Sequence, residues 1–382
     1  MTNLKVLHIV TDYPDHTNYN HTKAVKNLLV ATQNEIKHEV IALRRLKKAK
    51  IVYERFNEYI YFQTPSFPFG FFHISTSFLY AVILSNILRK ECIQFDIIHA
   101  HKLTIDGLVA FFLSKITGVK YVLSIRADTD LKFINNKPFS RWLFRKVYKN
   151  ANHIFWVSAW AKNTINSKLK YKAVNESNLA NIVTAKSSSY EFLDKKIVIS
   201  NRFIFVGRLE SAEKKGLLDL IKVMRFYPKL SLDIYGPSTS LINEKILKYI
   251  KDNNVETQIN LMGSLSKEEL ISKYKSYSAL LMPSQNETFG MVYAEALLNC
   301  LPILCCEKSG IDGYLEGSQY FKKVTFGDLE GIKKCIQQFD ENQYKIKSQL
   351  INDRINGLLD IFETNNIKKN YISRLENAQE NI

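Results

Sequence analysis

Cysteine is scarce in this chain of 382 residues: Cys92, Cys300, Cys305, Cys306 and Cys335 are odd in number and show no C-x-x-C spacing. That pattern argues against both a disulfide framework and a zinc site. Proline and glycine are also few, 8 and 14, which excludes a fibrous or low-complexity chain. Acidic residues are outnumbered, 37 against 53 lysines and arginines, for a formal net charge of +16. The deficit favours an anionic partner: nucleic acid, an acidic membrane surface or a phosphorylated small molecule. Long unbroken apolar runs are missing as well. The nearest, Phe69 to Leu88, is interrupted by His73, Ser75, Thr76, Ser77, Ser85 and Asn86, and reads as a helix lying on an apolar surface. No leader is read at the amino end, which runs straight into a strand, so a reducing cytoplasm is the expected compartment.

What the chain does have is alternation. "KVLHIV", "HEVIAL", "FDIIHAH", "KYVLSIR" and "HIFWVS" read as buried strands, with helical patterns such as "TKAVKNLLVATQ" and "SRWLFRKVYKNA" between them. The pattern weakens across the serine-rich residues 172–196. It then resumes with "RFIFVG", "LSLDIYG", "QINLMG", "ALLMPS" and "PILCC". Strands alternating with helices imply parallel sheets covered on both faces. Two such series imply two doubly wound α/β domains, 1–190 and 191–365, with a charged terminal helix over 366–382. Ligands of such sheets bind beyond the carboxyl ends of the strands, so chemistry is sought just after each strand.

Two loops of the second half are chemically loaded. "RFIFVG" ends at Gly207, and after it come Arg208, Lys214 and Lys215, cations at the carboxyl edge that could clamp a diphosphate, although a solvated basic loop is the commoner fate of such a pair. After "ALLMPS" comes "QNETFGMVYAEALLNC", in which a helix begins near Gly290 and offers free N–H groups to a phosphate. Glu287 stands before that helix. Glu295 shares a face with Met291, Val292 and Leu298 and needs a partner, either a ribose diol or a structural arginine or lysine.

Taken together, "VGRLE…KKG" and "PSQNETFGMVYAEALLNCLPI" resemble the carboxyl-terminal domain of retaining glycosyltransferases of family 4, which have the GT-B fold: two Rossmann-like domains facing a cleft. Glu287 and Glu295 match that family's E-x7-E motif, and "MGSLSKEELISKYKSYSALLMPS" resembles the run before it. The resemblance implies a UDP- or GDP-sugar donor, with Glu287 on the sugar hydroxyls and Glu295 on the ribose. It also implies Arg208 and Lys215 on the diphosphate, beside the backbone of Thr288, Phe289, Gly290 and Met291. "RLESAEKKG" is longer than the usual loop, so Lys214 competes with Lys215 for that part. The family needs no metal, and none is expected, the chain being read as without an Asp-x-Asp.

The first half resembles the family less sharply. His16 and Asn18, in the first loop, and His101, Asp128 and Asp130 are expected on the acceptor side. Arg126 takes a place where many relatives have a histidine. A guanidinium is always charged, so its part is electrostatic. The cationic stretch 43–56, followed by the apolar residues 67–75, is expected to meet the inner face of the cell membrane, where a lipid-linked glycan acceptor would lie. Three other outcomes stay open: a catalytically silent GT-B subunit, a sugar-nucleotide epimerase, and a nucleic-acid-binding protein. The last lacks a known module. Pairing of Glu295 with a scaffold cation, remote from any crevice, would overturn the transferase reading.

Overall fold

The structure is a computed structural model that describes residues 4–18, 22–47, 50–66, 73–183 and 197–380. The chain divides into two compact units, Met1–Ile182 with Thr364–Ile382, and Val183–Glu363. The expected boundary at 190/191 falls outside the described residues.

Unit 1 is built on eight strands: β1 (Lys5–Val10), β2 (Lys37–Lys47), β3 (Val52–Arg55), β4 (Ile60–Ser66), β5 (Ile97–Ala100), β6 (Tyr121–Ile125), β7 (His153–Trp156) and β8 (Glu176–Asn178). Their order is β3-β4-β2-β1-β5-β6-β7-β8. All neighbours are parallel except β3, which runs antiparallel along β4. The central strands are fully buried, as their unbroken apolar runs require of a sheet covered on both faces. The helix His73–Lys90 lays Tyr80, Ala81, Leu84, Ile87 and Leu88 into the larger core. Among the described residues no helix is long and apolar enough to cross a membrane.

The helix Thr364–Glu380 belongs to unit 1. It buries Ile367, Tyr371, Leu375 and Ala378, a stripe at steps of four, four and three that marks one helical face. The Tyr371 hydroxyl is 2.8 Å from Nδ1 of His99, 272 positions away in the chain.

Unit 2 has six parallel strands: β9 (Arg202–Val206), β10 (Ser231–Tyr235), β11 (Ile259–Gly263), β12 (Leu280–Leu281), β13 (Ile303–Cys306) and β14 (Phe321–Val324). The order β11-β10-β9-β12-β13-β14 places the switch point between β9 and β12. In unit 1 the corresponding pair is β1 and β5. At each switch point the two flanking loops leave in opposite directions and open a crevice at the carboxyl edge. Both sheets are thus the doubly wound parallel kind that strand–helix alternation implies.

Candidate functional site

In unit 2 the switch-point loops are the two that carry the charged motifs. Gly207 follows β9 directly, and its N–H donates to the Tyr235 carbonyl, 2.9 Å away. A methyl group on Gly207 would stand 2.7 Å from Cδ of Lys215, so the aliphatic stem of that lysine lies across the glycine. A methyl on Gly236 would overlap the Gly207 carbonyl oxygen at 1.8 Å; the two backbones touch there. Gly216 opens the helix Leu217–Met224 with φ +72°, a conformation that favours glycine, and packs against Pro283 of the neighbouring loop.

The basic loop sorts its own cations. Arg208 is exposed just past the strand, and among the described residues its guanidinium has no ion pair. Lys214 is exposed, and its carbonyl accepts from the Gln285 N–H, tying the two loops together. Lys215 is half-buried and reaches Glu287, Nζ to Oε2 3.1 Å. Of the two competing lysines, Lys215 is therefore the one turned toward the second loop.

Glu287 is fixed from three directions. Its N–H donates to Ser309 Oγ (2.9 Å), its carbonyl accepts from Gly310 N (2.8 Å), and its carboxylate accepts from Ser284 Oγ (3.3 Å). Ser309 in turn donates to the Ser284 carbonyl at 2.7 Å. The carboxylate is 28% exposed, so it is oriented but not sealed. The helix Met291–Leu298 begins behind it, with Gly290 as N-cap at φ +67°. A side chain at Gly290 would strike the Tyr293 ring at 2.4 Å, and that ring is anchored by its hydroxyl donating to the Met282 carbonyl. Thr288 and Met291 lie half-buried at this turn. Phe289 is different: its side chain is 1% exposed and stacks edge-on against Tyr314, so only its backbone is placed for a ligand.

Glu295 has met its need for a partner inside the protein. Its carboxylate, 7% exposed, pairs with Nζ of Lys267 at 2.7 Å. Burial pushes the carboxyl up from its ordinary range, and the lysine pulls the other way. Lys267 is the first residue of the helix Lys267–Tyr274, held by a reciprocal capping box between Ser266 and Glu269. A cation at the positive end of a helix is unfavourably placed, and the Glu295 carboxylate offsets that. Of the two partners open to Glu295, the structural lysine is the one present.

In unit 1 the carboxyl edge is more deeply buried. His8 and His99 are register partners on β1 and β5, and His101 lies two residues on from His99. His38 pairs with Val6, two before His8, so all four imidazoles share one face of the sheet. Three of them form a hydrogen-bonded file, His38 Nδ1 to His8 Nε2, 3.0 Å, and His8 Nδ1 to His101 Nε2, 3.0 Å, while His99 bonds to Tyr371 and Ser124. Burial lowers the proton affinity of each, that of His38 to about 4, so at neutral pH all are uncharged. The Thr32 hydroxyl donates to the Leu28 carbonyl and so accepts from His38 Nε2–H, 2.9 Å. That choice propagates: His8 donates through Nε2, His101 donates through Nε2, and Nδ1 of His101 is left as a buried lone pair without a hydrogen-bond partner. One nitrogen from each of His8, His99 and His101 falls within 4.8 Å of the others. Both nitrogens of His8 and of His99 are already hydrogen-bonded, so a metal there would have to displace existing partners.

Other expected acceptor-side residues sort unevenly. Asp130 is fully buried and accepts from the N–H and hydroxyl of Thr104, both 3.1 Å, so it holds the loop after β5 rather than facing out. Asp128 pairs at the surface with Lys132. Asp128-Thr129-Asp130 is an Asp-x-Asp triplet that the sequence reading passed over, and the two carboxylates are spent on different partners. Arg126 is half-buried and donates to Asn181 Oδ1, 3.1 Å. The next residue, Ala127, turns the chain out of β6 at φ +39°, a strained value for alanine. His16 and Asn18 are exposed; the His16 N–H donates to the Tyr59 hydroxyl at 3.0 Å.

The cationic edge at 44–50 is not uniformly solvated: Lys50 is exposed, whereas the first residue turns inward. Arg44 is buried at 7%, paired with Asp15 and donating to the Thr11 and Tyr13 carbonyls. It points inward from a strand flanked on both sides and closes the first loop. Lys48 and residues 67–72 lie outside the described residues. Sequence reasoning also missed Asp106, fully buried beside the Lys102–Asp12 ion pair and accepting from Thr11 N at 3.4 Å. Burial pushes its carboxyl up to about 7, against the pull of Lys102.

A family model described as "Glycosyl transferases group 1" matches residues 191–353, and one described as "Glycosyltransferase Family 4" matches residues 23–175. An uncharacterized glycosyltransferase of Methanocaldococcus jannaschii is 29% identical over 241 residues, covering 60% of this chain and 62% of that protein. An uncharacterized 41.2 kDa protein in the cps region of Klebsiella pneumoniae is 24% identical over 315 residues, 74% of this chain and 82% of that one. Among solved structures, Anabaena HepE in complex with UDP aligns with TM-score 0.70 at 13% identity, over 98% of this chain and 99% of that chain.

Proposed function

The chain belongs to the group 1 glycosyltransferases of family 4, with the GT-B fold, and we propose that it moves a sugar, with retention of configuration, from a UDP- or GDP-sugar to a glycan or polyprenyl-linked glycan of a surface polysaccharide. We assign the work to the cytoplasmic face of the cell membrane. The observation that carries the proposal is the meeting of Lys215 and Glu287 at the switch point of the unit 2 sheet, beside an exposed Arg208 and the start of the helix Met291–Leu298.

In this scheme the diphosphate lies against Arg208, Lys215 and the helix N–H groups. Fixed cations and dipoles stabilise the charge that grows on the leaving group and need no reorganisation as it grows. Glu287, oriented by Ser284 and Ser309, accepts hydroxyls of the donor sugar. Glu295 receives the ribose diol by sharing its carboxylate with Lys267 or by releasing it. The bond from the anomeric carbon to phosphate breaks, a bond to the acceptor oxygen forms on the same face, and the departing phosphate takes the acceptor's proton. No protein base is then required, and Arg126 contributes charge alone. The UDP bound to Anabaena HepE supports a uridine donor, and the cps-region relative supports a surface glycan.

Thermal denaturation with UDP, GDP and their sugars tests the proposal, since a ligand of the folded state raises the melting point. One nucleoside diphosphate and its sugars should raise it, with chelator present as well as absent. No shift with any nucleotide would reject the assignment, and turnover of donor without acceptor would make the protein an epimerase.

A further inference from the structure

Phe139 and Trp142 are the anomaly of the unit 1 surface. Phe139 is 92% exposed in the short helical turn Pro138–Ser140, and Trp142 is 55% exposed in the first turn of the helix Arg141–Asn150. That helix buries Leu143, Phe144, Val147 and Tyr148. Its outer face is therefore Trp142, Arg145, Lys146 and Lys149, all exposed, at the i, i+3, i+4, i+7 spacing of a single stripe. Lys146 sits over the Trp142 ring, 5.0 Å from its centre. Between Leu131 and Asn175 the chain has ten lysines and arginines and no carboxylate. A solvated helix face has no use for two large aromatic side chains, and a protein core would not take three cations.

We propose that the outer face of the helix Arg141–Asn150, led by Phe139 and Trp142, docks on an anionic lipid surface. The aromatic side chains enter the boundary between headgroups and acyl chains, where an amphipathic ring is well solvated at both ends. Arg145, Lys146 and Lys149 stand behind them at the level of the phosphates. A bilayer offers both environments to one flat face, apolar at the leading end and anionic over the remainder, which matches the order of these residues. The inference moves the contact away from residues 44–50, where Arg44 is a scaffold group. For its purpose it rests on the reading of a lipid-linked acceptor.

The test uses the full chain and vesicles of phosphatidylcholine, with and without phosphatidylglycerol. The wild type should sediment with the mixed vesicles, and its tryptophan emission should shift to shorter wavelength, because Trp156 is already fully buried and Trp142 is free to respond. Replacing Arg145, Lys146 and Lys149 by glutamine should weaken binding about a hundredfold, since each cation near an anionic surface contributes roughly fivefold. F139S with W142S should abolish the emission shift and leave the melting point unchanged, because both side chains are exposed. Equal affinity for both vesicle types, or variants that bind like the wild type, would overturn the proposal; so would charge-dependent binding to RNA with none to vesicles. Nucleotide binding is read on the same variants, so loss of docking with donor binding intact leaves the transferase assignment standing.

Discussion

All eight histidines and all three tryptophans precede Ile182, whereas four of the five cysteines follow it. The two units share one kind of sheet and use its carboxyl edge differently. In unit 1 the polar groups at the switch point are sealed and spent largely on one another: the histidine file, Asp130 on Thr104, Asp106 beside Lys102 and Asp12. In unit 2 glycines line the crossing of the two loops, and Lys215 and Glu287 remain partly open to solvent. Buried groups that satisfy each other rigidify a scaffold. Oriented groups that keep some exposure are the ones with capacity for a ligand. The contrast supports the proposal that unit 2 binds the donor.

Acid should separate the units most. A histidine buried neutral has its folded proton affinity below the unfolded value, here to about 4 for both His38 and His153. Between pH 6.5 and 4 the unfolded chain binds more protons, so stability is complete above pH 6.5 and falls as pH drops toward 4. Tryptophan emission, which reports unit 1 alone, should change in that window at a pH where UDP still raises the temperature of a second, unit 2 transition. Simultaneous loss of both would blur the comparison.

Next in size is Glu295→Ala, which strands Lys267 and should cost about 1–3 kcal/mol. Lys267→Ala should cost a comparable amount, because it leaves the more deeply buried Glu295 carboxylate without its partner. If Glu295 also grips the ribose, its variant loses nucleotide affinity beyond what Lys267→Ala loses; equal losses would make the pair scaffold only. Gly207→Ala is the smallest perturbation. The new methyl clashes with the flexible stem of Lys215 and makes an ordinary contact with Phe205, so denaturant stability should change by less than about 1 kcal/mol. Nucleotide affinity should fall roughly tenfold as the lysine is pushed aside. A stability loss without an affinity loss would show that the glycine serves packing instead.

How much of this was legible in the chain follows from distance along it. The central strands could be read because buried parallel strands are unbroken apolar runs. The hairpin of β3 and β4, the three-residue β8 and the alternating "FKKV" of β14 were passed over, since peripheral strands keep polar positions. Glu287, Gly290 and the basic loop could be read because each motif is local. Lys267, Ser284 and Ser309 could not be connected to them, as the contacts are made only when the sheet assembles in the order β11-β10-β9-β12-β13. His8, His38 and His101 needed the register of three strands. Arg44 belonged to a stretch expected to meet the membrane, but its alternation within β2 carries it inward.

The central claim is that Lys215, and not its neighbour, holds the nucleotide's phosphates, and titration calorimetry of UDP and GDP into Lys214→Ala and Lys215→Ala tests it most directly. The account predicts that Lys215→Ala loses at least about tenfold in affinity, the worth of one charge-assisted contact, while Lys214→Ala binds nearly as the wild type does. Equal affinities for the two variants, whether both intact or both lost, would contradict it.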